Sequence, residues 1–293
     1  MTLDEWQAGG TYFEYRGLEI FHRRFGNGPE PILCLHGFPT ASFDYRKVWQ
    51  PLSERFDLLA FDMVGYGFSS KPREWGYTTF DQVDVLQALV AHLGIPRVHI
   101  LAHDYGNTIT LELLAREFEG RSNFEIASIC FLNGGLFPET HRPIFAQKLL
   151  ISWVGAIFGG LIPDTVFKSN LAKVFGNATK PTDAELDDYL TLFKHNNGKS
   201  IAHRLIRYMV ERAKYRERWL AALRQMTQPF RFINGLADPV SGKHLIDRFR
   251  ELVPDQKDIT ELDGIGHFPH LECPDKVLTA YLDFRDRIDA NYS

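Results

Sequence analysis

Arg97-Val98-His99-Ile100-Leu101-Ala102-His103-Asp104-Tyr105-Gly106-Asn107 is the stretch on which the reading of this chain turns. An apolar run of strand character ends in a small-x-acid-x-small turn and passes directly into a helical pattern. Such a turn lifts the side chain at its apex out of the end of the sheet, where a nucleophile is held. Here that side chain is a carboxylate. Aimed outward, it attacks saturated carbon and forms an alkyl ester, whereas a serine in its place would attack a carbonyl. Aspartate is also a common helix N-cap, but the elbow context favours the nucleophile. The positive end of the following helix dipole favours its ionised form.

Strand-like and helix-like segments alternate around this turn. Residues 11–17 and 18–25 read as an antiparallel pair about a glycine turn, and 31–35 as a central strand. Further strands are expected over 56–61, 98–102, 126–132, 230–234 and 258–262, with helices over 80–93, 107–118, 244–252 and 274–288. This alternation predicts an α/β fold with a mostly parallel sheet covered by helices on both faces. Between Gly135 and Gln228 the rhythm lapses into helices and loops. Residues 136–228 are therefore expected to form a helical cap inserted after the sixth strand, with residues 1–135 and 229–293 forming the core. A cap there lies over the strand ends, where an open α/β sheet places its ligand.

With 293 residues, 44% of them apolar and 24% charged, the chain has the composition of an ordinary globular protein. A net charge of −4 offers no basic footprint for nucleic acid. Cys34, Cys130 and Cys273 are odd in number and widely spaced, and the first two lie in apolar runs, which predicts buried free thiols and a reducing compartment. The acidic start, Met1-Thr2-Leu3-Asp4-Glu5-Trp6, has no apolar stretch behind it, so a cytoplasmic location is expected. The most apolar segment, residues 149–162, is shorter than the roughly 20 residues that span a bilayer and reads as part of the cap.

Three further motifs complete a constellation. Asp238 lies in Asn234-Gly235-Leu236-Ala237-Asp238-Pro239-Val240 after the seventh strand, where Asp-Pro by itself signals only a turn. His267 lies in Asp263-Gly264-Ile265-Gly266-His267-Phe268-Pro269-His270 after the eighth, with His270 as its competitor. His36-Gly37-Phe38-Pro39 follows the third. Together with Asp104 these motifs resemble the α/β-hydrolase fold in its aspartate-nucleophile branch, which contains epoxide hydrolases and haloalkane dehalogenases. The resemblance runs from about Thr11 onward and implies an eight-stranded sheet with a cap. Leu132-Asn133-Gly134-Gly135-Leu136-Phe137-Pro138-Glu139-Thr140-His141-Arg142-Pro143 resembles more narrowly the hydrolases similar to mesoderm-specific transcript protein.

The resemblance implies Asp104 as nucleophile, His267 as the base that activates water, and Asp238 as the acid that orients the imidazole. It also implies an oxyanion hole from the backbone N–H groups of Phe38 and Tyr105. The family-like Asp62-Met63-Val64-Gly65-Tyr66-Gly67-Phe68-Ser69 reads as a tight turn shaping the wall, without a chemical role.

Epoxide opening needs a proton donor, and relatives place two cap tyrosines there. Tyr189, Tyr208 and Tyr215 are available. Tyr208 matches the spacing of the later one and lies in a helical segment expected over 203–219. The earlier tyrosine has no match, and His141 is the candidate replacement. Halide release would instead need side-chain N–H donors. Tyr105 and Phe38 supply none at the motif positions; Trp153 of the cap is the remaining candidate.

The resulting expectation is hydrolysis of small apolar epoxides to vicinal diols without a cofactor, in a pocket walled by Phe38, Phe137 and Trp153. Haloalkane dehalogenation by the same triad is the alternative, and a non-catalytic binding protein on this fold ranks behind both. Arg204, Arg207, Arg212, Lys214, Arg216 and Arg218 read as a solvated helix face because Glu211 and Glu217 interrupt them. No metal site, nucleic-acid partner or stable membrane insertion is expected, and the chain is expected to act as a monomer or homodimer.

Overall fold

The computed structural model describes residues 1–140, 142 and 163–292. Eight strands form one sheet: β1 (Thr11–Tyr15), β2 (Leu18–Phe25), β3 (Pro31–Leu35), β4 (Asp57–Phe61), β5 (Arg97–Ala102), β6 (Glu125–Phe131), β7 (Phe230–Gly235) and β8 (Ile259–Leu262). Their spatial order is β1-β2-β4-β3-β5-β6-β7-β8. The pairs β1–β2 and β2–β4 are antiparallel and all others parallel.

Every residue of β3, β4 and β7 is buried, as expected of parallel strands covered on both faces. Because successive side chains point to opposite faces, each strand feeds two cores. Leu33, Leu35, Leu59, Phe61 and Ile100 pack on one side with helices α3 (Thr79–His92), α4 (Tyr105–Phe118) and α10 (Lys243–Leu252). Ile32, Cys34, Leu58, Ala60 and Leu101 pack on the other with α1 (Leu3–Ala8), α2 (Arg46–Ser53) and α12 (Pro274–Tyr292). Cys34 and Cys130 are buried free thiols, and Cys273 is free and partly buried. The remaining helices are α5 (Asp164–Lys173), α6 (Asp183–Lys194), α7 (Ala202–Leu205), α8 (Tyr208–Lys214), α9 (Arg216–Gln225) and the short α11 (Pro269–Glu272).

Sheet order brings the motifs together. β3 lies between β4 and β5, so the chain direction of growth reverses at β3, and such a switch opens a crevice at the carboxyl ends of the strands. Leu35 is in register with Ala102. The segments after β3 and β5, carrying Phe38 and Asp104, therefore leave the sheet side by side.

Two expectations need correction. Residues 203–219 do not form one helix: α7, α8 and α9 are separate, and Tyr215, at φ −106° and ψ 18°, marks the break between the last two. Its ring is occupied there by packing against Phe80 and Trp219. Helices α1 and α2 also escaped the periodicity reading. Among the described residues between β6 and β7 there are helices and no strand. No helix among the described residues is long and apolar enough to cross a membrane; the apolar segment 149–162 lies outside them.

Candidate active site

Asp104 adopts φ 48°, ψ −106°, a left-handed conformation that side-chain-bearing residues rarely take and that marks functional turns. Its surroundings hold it there. The Asp104 N–H donates to Asn133 O at 2.7 Å, and the N–H of His103 to Leu35 O at 2.9 Å. Gly37 is required by close approach, because a Cβ on it would lie 2.5 Å from Asp104 Cβ. Gly106 is required likewise: a Cβ there would lie 2.3 Å from Leu35 O.

One carboxylate oxygen, Oδ2, accepts the Phe38 N–H at 3.0 Å. The Tyr105 N–H, the second expected donor, makes no hydrogen bond to it. The Asp104 side chain is almost wholly buried, which by itself would raise its pKa. The positive fields of His267, Arg212 and His103 and the Phe38 N–H outweigh burial and hold the pKa below the usual carboxylate value.

His267 Nδ1 donates to Asp238 Oδ2 at 2.7 Å. That oxygen also accepts from the Ser241 hydroxyl at 2.5 Å and Asn133 Nδ2 at 3.1 Å, while Oδ1 accepts the Val240 N–H at 2.8 Å. Burial pushes Asp238 up, but the charge of His267 and these hydrogen bonds together hold it at about 2. Burial likewise pushes His267 down, and is outweighed by the charge and hydrogen bond of Asp238 and then by the charge of Asp104; its pKa rises to about 9. His267 and Asp104 sense each other's charge but make no direct hydrogen bond.

The histidine loop is fastened to the chain after α5. The His267 N–H donates to Val174 O at 2.9 Å, and Glu272 accepts the N–H groups of Gly176, Gly266 and Phe268 at 2.9, 2.8 and 2.9 Å. His36 sits in the neighbouring loop. Its Nε2 accepts the Met63 N–H at 3.1 Å, so Nδ1 carries the proton and donates to Gly37 O at 2.9 Å.

Tyr208, at the start of α8, stacks on Tyr105 with ring centroids 4.4 Å apart and lies 6.0 Å from Phe38. It is buried, and desolvation followed by the Asp104 charge raises its pKa well above the ordinary phenol value. Helix α8 is tied to the core by Glu211, which accepts from the N–H and hydroxyl of Thr79 at 2.8 and 2.7 Å. One turn on from Tyr208, Arg212 departs from the expected solvated face. It is 2% exposed. Its Nε donates to Thr108 Oγ1 at 2.8 Å and its Nη2 to the backbone oxygen of Asp104 at 3.2 Å, with Asp104 Oδ1 at 3.7 Å.

The other candidates fall elsewhere. Tyr189 accepts a hydrogen bond from Arg46 at 2.7 Å and packs on Phe43, within the core across the sheet from Tyr208. The Phe137 ring lies 6.5 Å from Phe249 on α10. His141 and Trp153 lie outside the described residues. His270, the competitor of His267, is fully buried and stacked on Tyr45, and its ring nitrogens have no hydrogen-bond partner among the described residues. With Asp44 and His103 it forms a buried group whose ligand-type atoms lie within 4.8 Å of one another.

Sequence reasoning missed Asn133, Ser241, Glu272, Arg212 and Tyr66. Tyr66, set aside as part of a turn, has a buried hydroxyl with no hydrogen-bond partner among the described residues and a ring 5.1 Å from His36 and 6.4 Å from Phe38. Asn133 carried a signal, since it opens the glycine pair after β6. Arg212 carried one only through Glu211, its anchored neighbour.

A family model for the alpha/beta hydrolase fold matches residues 30–274, from just before β3 to the start of α12. The chain belongs to the alpha/beta hydrolase fold family. This hydrolase is 39% identical to the mesoderm-specific transcript protein of Mus musculus, over 97% of this chain and 88% of that protein. It is 25% identical to haloalkane dehalogenase 2 of Mycobacterium tuberculosis, over 88% of each. Among solved structures it superposes on a loop variant of the haloalkane dehalogenase DbeA from Bradyrhizobium elkanii with a TM-score of 0.81, at 20% identity, covering 97% and 98% of the two chains. That likeness shows the same fold over nearly the whole chain.

Proposed function

We propose that this hydrolase opens epoxides to vicinal diols through a covalent ester on Asp104. The observation that carries the reading is the carboxylate at the elbow. It is ionised, fixed through Oδ2 by the Phe38 N–H, and accompanied by the paired His267 and Asp238. Oδ1 of Asp104 attacks a ring carbon, and the C–O electron pair moves to the ring oxygen, which takes a proton from the Tyr208 hydroxyl. Water then adds to the ester carbonyl, giving one proton to His267. The charge developing on Oδ2 is met by the Phe38 N–H. Collapse returns the carboxylate, and the protons of that water go to the second product hydroxyl and back to Tyr208.

Electrostatics suits this order. With Asp104 charged, His267 has a pKa of about 9 and is protonated at neutral pH. Esterification removes the Asp104 charge, one of the influences raising that pKa, so His267 releases its proton to solvent, serves as the neutral base in the second step and is protonated again from solvent once the carboxylate returns. The helices between β6 and β7 act in this reading as a cap that brings Tyr208 over the nucleophile.

Haloalkane dehalogenation is the second reading. It is favoured by the dehalogenase relative and by Arg212, a side-chain N–H donor beside Asp104 that the sequence did not place there. Matched terminal epoxides and haloalkanes, assayed for diol and halide, decide between them. Faster diol formation is expected; faster halide release would assign the second.

A further inference from the structure

Arg212 has two of its three nitrogens engaged. Nε is bonded to Thr108 and Nη2 to the Asp104 backbone, while Nη1 is buried and has no hydrogen-bond partner among the described residues. Its guanidinium also lies over the Tyr208 ring, 4.6 Å from the centroid. A buried N–H without a partner is costly, the more so on a charged group. The nearest carboxylate, Asp104, is the group whose charge disappears when its ester forms. A buried guanidinium stripped of its counter-ion is strongly unfavourable unless the charge moves to a place it still reaches.

We infer that Arg212 is a further catalytic residue, whose Nη1 donates a hydrogen bond to the oxygen that receives the electron pair as Asp104 attacks. This rests on the covalent mechanism proposed above and supplies the second donor that the sequence sought in His141. Arg212 transfers no proton. Tyr208 gives the proton, and Arg212 stabilises the negative charge on its way from Asp104 to the ring oxygen. The Thr108 and Asp104 backbone contacts fix the guanidinium plane, so little reorganisation is needed at the moment of reaction. Tyr66, whose hydroxyl also has no hydrogen-bond partner among the described residues, is the rival donor.

Two measurements test this. The first follows adduct formation on Asp104 by mass spectrometry in a His267→Gln background, using a terminal epoxide. Adding Arg212→Gln should slow it on the order of 10²-fold, with Arg212→Lys recovering part of the rate and Tyr66→Phe having little effect. An unchanged rate in Arg212→Gln, or the loss appearing in Tyr66→Phe instead, overturns the inference. If the His267→Gln parent forms no adduct, the proposed reaction fails by itself.

The second needs neither turnover nor an Arg212 variant that folds. Asp104→Asn removes the charge beside Arg212 in nearly the same shape. Acetate and bromide, as oxyanion and halide probes, should then raise the melting temperature of Asp104→Asn more than that of the wild type. The effect should persist above pH about 9, where His267 loses its charge but a guanidinium does not. A stronger effect of acetate favours an oxygen-bearing occupant, and of bromide a halide. Equal anion responses in the two proteins, or a response that vanishes with the His267 charge, contradict the inference.

Discussion

The Phe38 N–H holds Oδ2 of Asp104 at 3.0 Å, although the two residues belong to loops that leave different strands, β3 and β5. The contact exists because β3 and β5 are in register at Leu35 and Ala102, and because Gly37 has no Cβ. It restrains Oδ2, and in the proposed mechanism Oδ1 is the attacking atom.

Gly37→Ala should therefore damage catalysis without unfolding the sheet. The added Cβ would lie 2.5 Å from Asp104 Cβ and 2.9 Å from Oδ2, so the carboxylate has to move. A displacement of that kind costs on the order of 10²-fold in kcat/KM. Steady-state kinetics beside a circular-dichroism melt checks this; full activity would show that the carboxylate position is not critical.

Tyr208→Phe should slow alkylation more than it weakens binding, because it removes a donor needed only as the ring opens. A loss on the order of 10²-fold is the usual contribution of one general acid. Single-turnover rates at saturating substrate separate this from an effect on binding. An unchanged rate would remove the proton-donor role and leave Tyr208 as packing against Tyr105.

The coupling of His267 to Asp104 predicts a shift that nuclear magnetic resonance can read. In Asp104→Asn the imidazole should titrate below its wild-type pKa of about 9, since one of the negative charges raising it is gone. The sign of the stability effect follows. A histidine with a raised folded pKa contributes stability that is full below the unfolded value of about 6.5 and is lost as pH rises through about 9. Asp238, depressed to about 2, contributes stability present above its ordinary pKa and lost as pH falls through about 2. A His267 pKa unchanged in Asp104→Asn would break the electrostatic link between the two half-reactions.

The parts of this molecule that were legible in the sequence are those encoded locally. All eight strands were anticipated within a few residues, β1 and β2 as an antiparallel pair about a glycine turn and the central parallel strands as apolar runs. Asp104 could be singled out from its strand-to-helix elbow, whereas Asp238 and His267 were singled out only through the resemblance of their motifs, in the same order along the chain, to those of the family. What escaped depends on partners far along the chain. Arg212 meets Asp104 across 108 positions, and Asn133 meets Asp238 across 105. Neither pairing leaves a mark on the local pattern. Arg212 was misread for a specific reason: charge alternation on α8 suggests solvent, whereas the Glu211–Thr79 anchor turns the next residue inward. The helix break at Tyr215 was hidden for a similar reason, its ring being held by Phe80 and Trp219.

The most direct measurement is the mass of the His267→Gln protein after exposure to a terminal epoxide. Attack by Asp104 does not require the imidazole as a base, whereas hydrolysis of the ester does. The denatured protein should therefore gain the mass of one substrate molecule, and peptide mapping should place it on Asp104, with no adduct in the Asp104→Asn, His267→Gln double variant. Substrate binding without any adduct, or an adduct on a residue other than Asp104, would contradict the covalent mechanism.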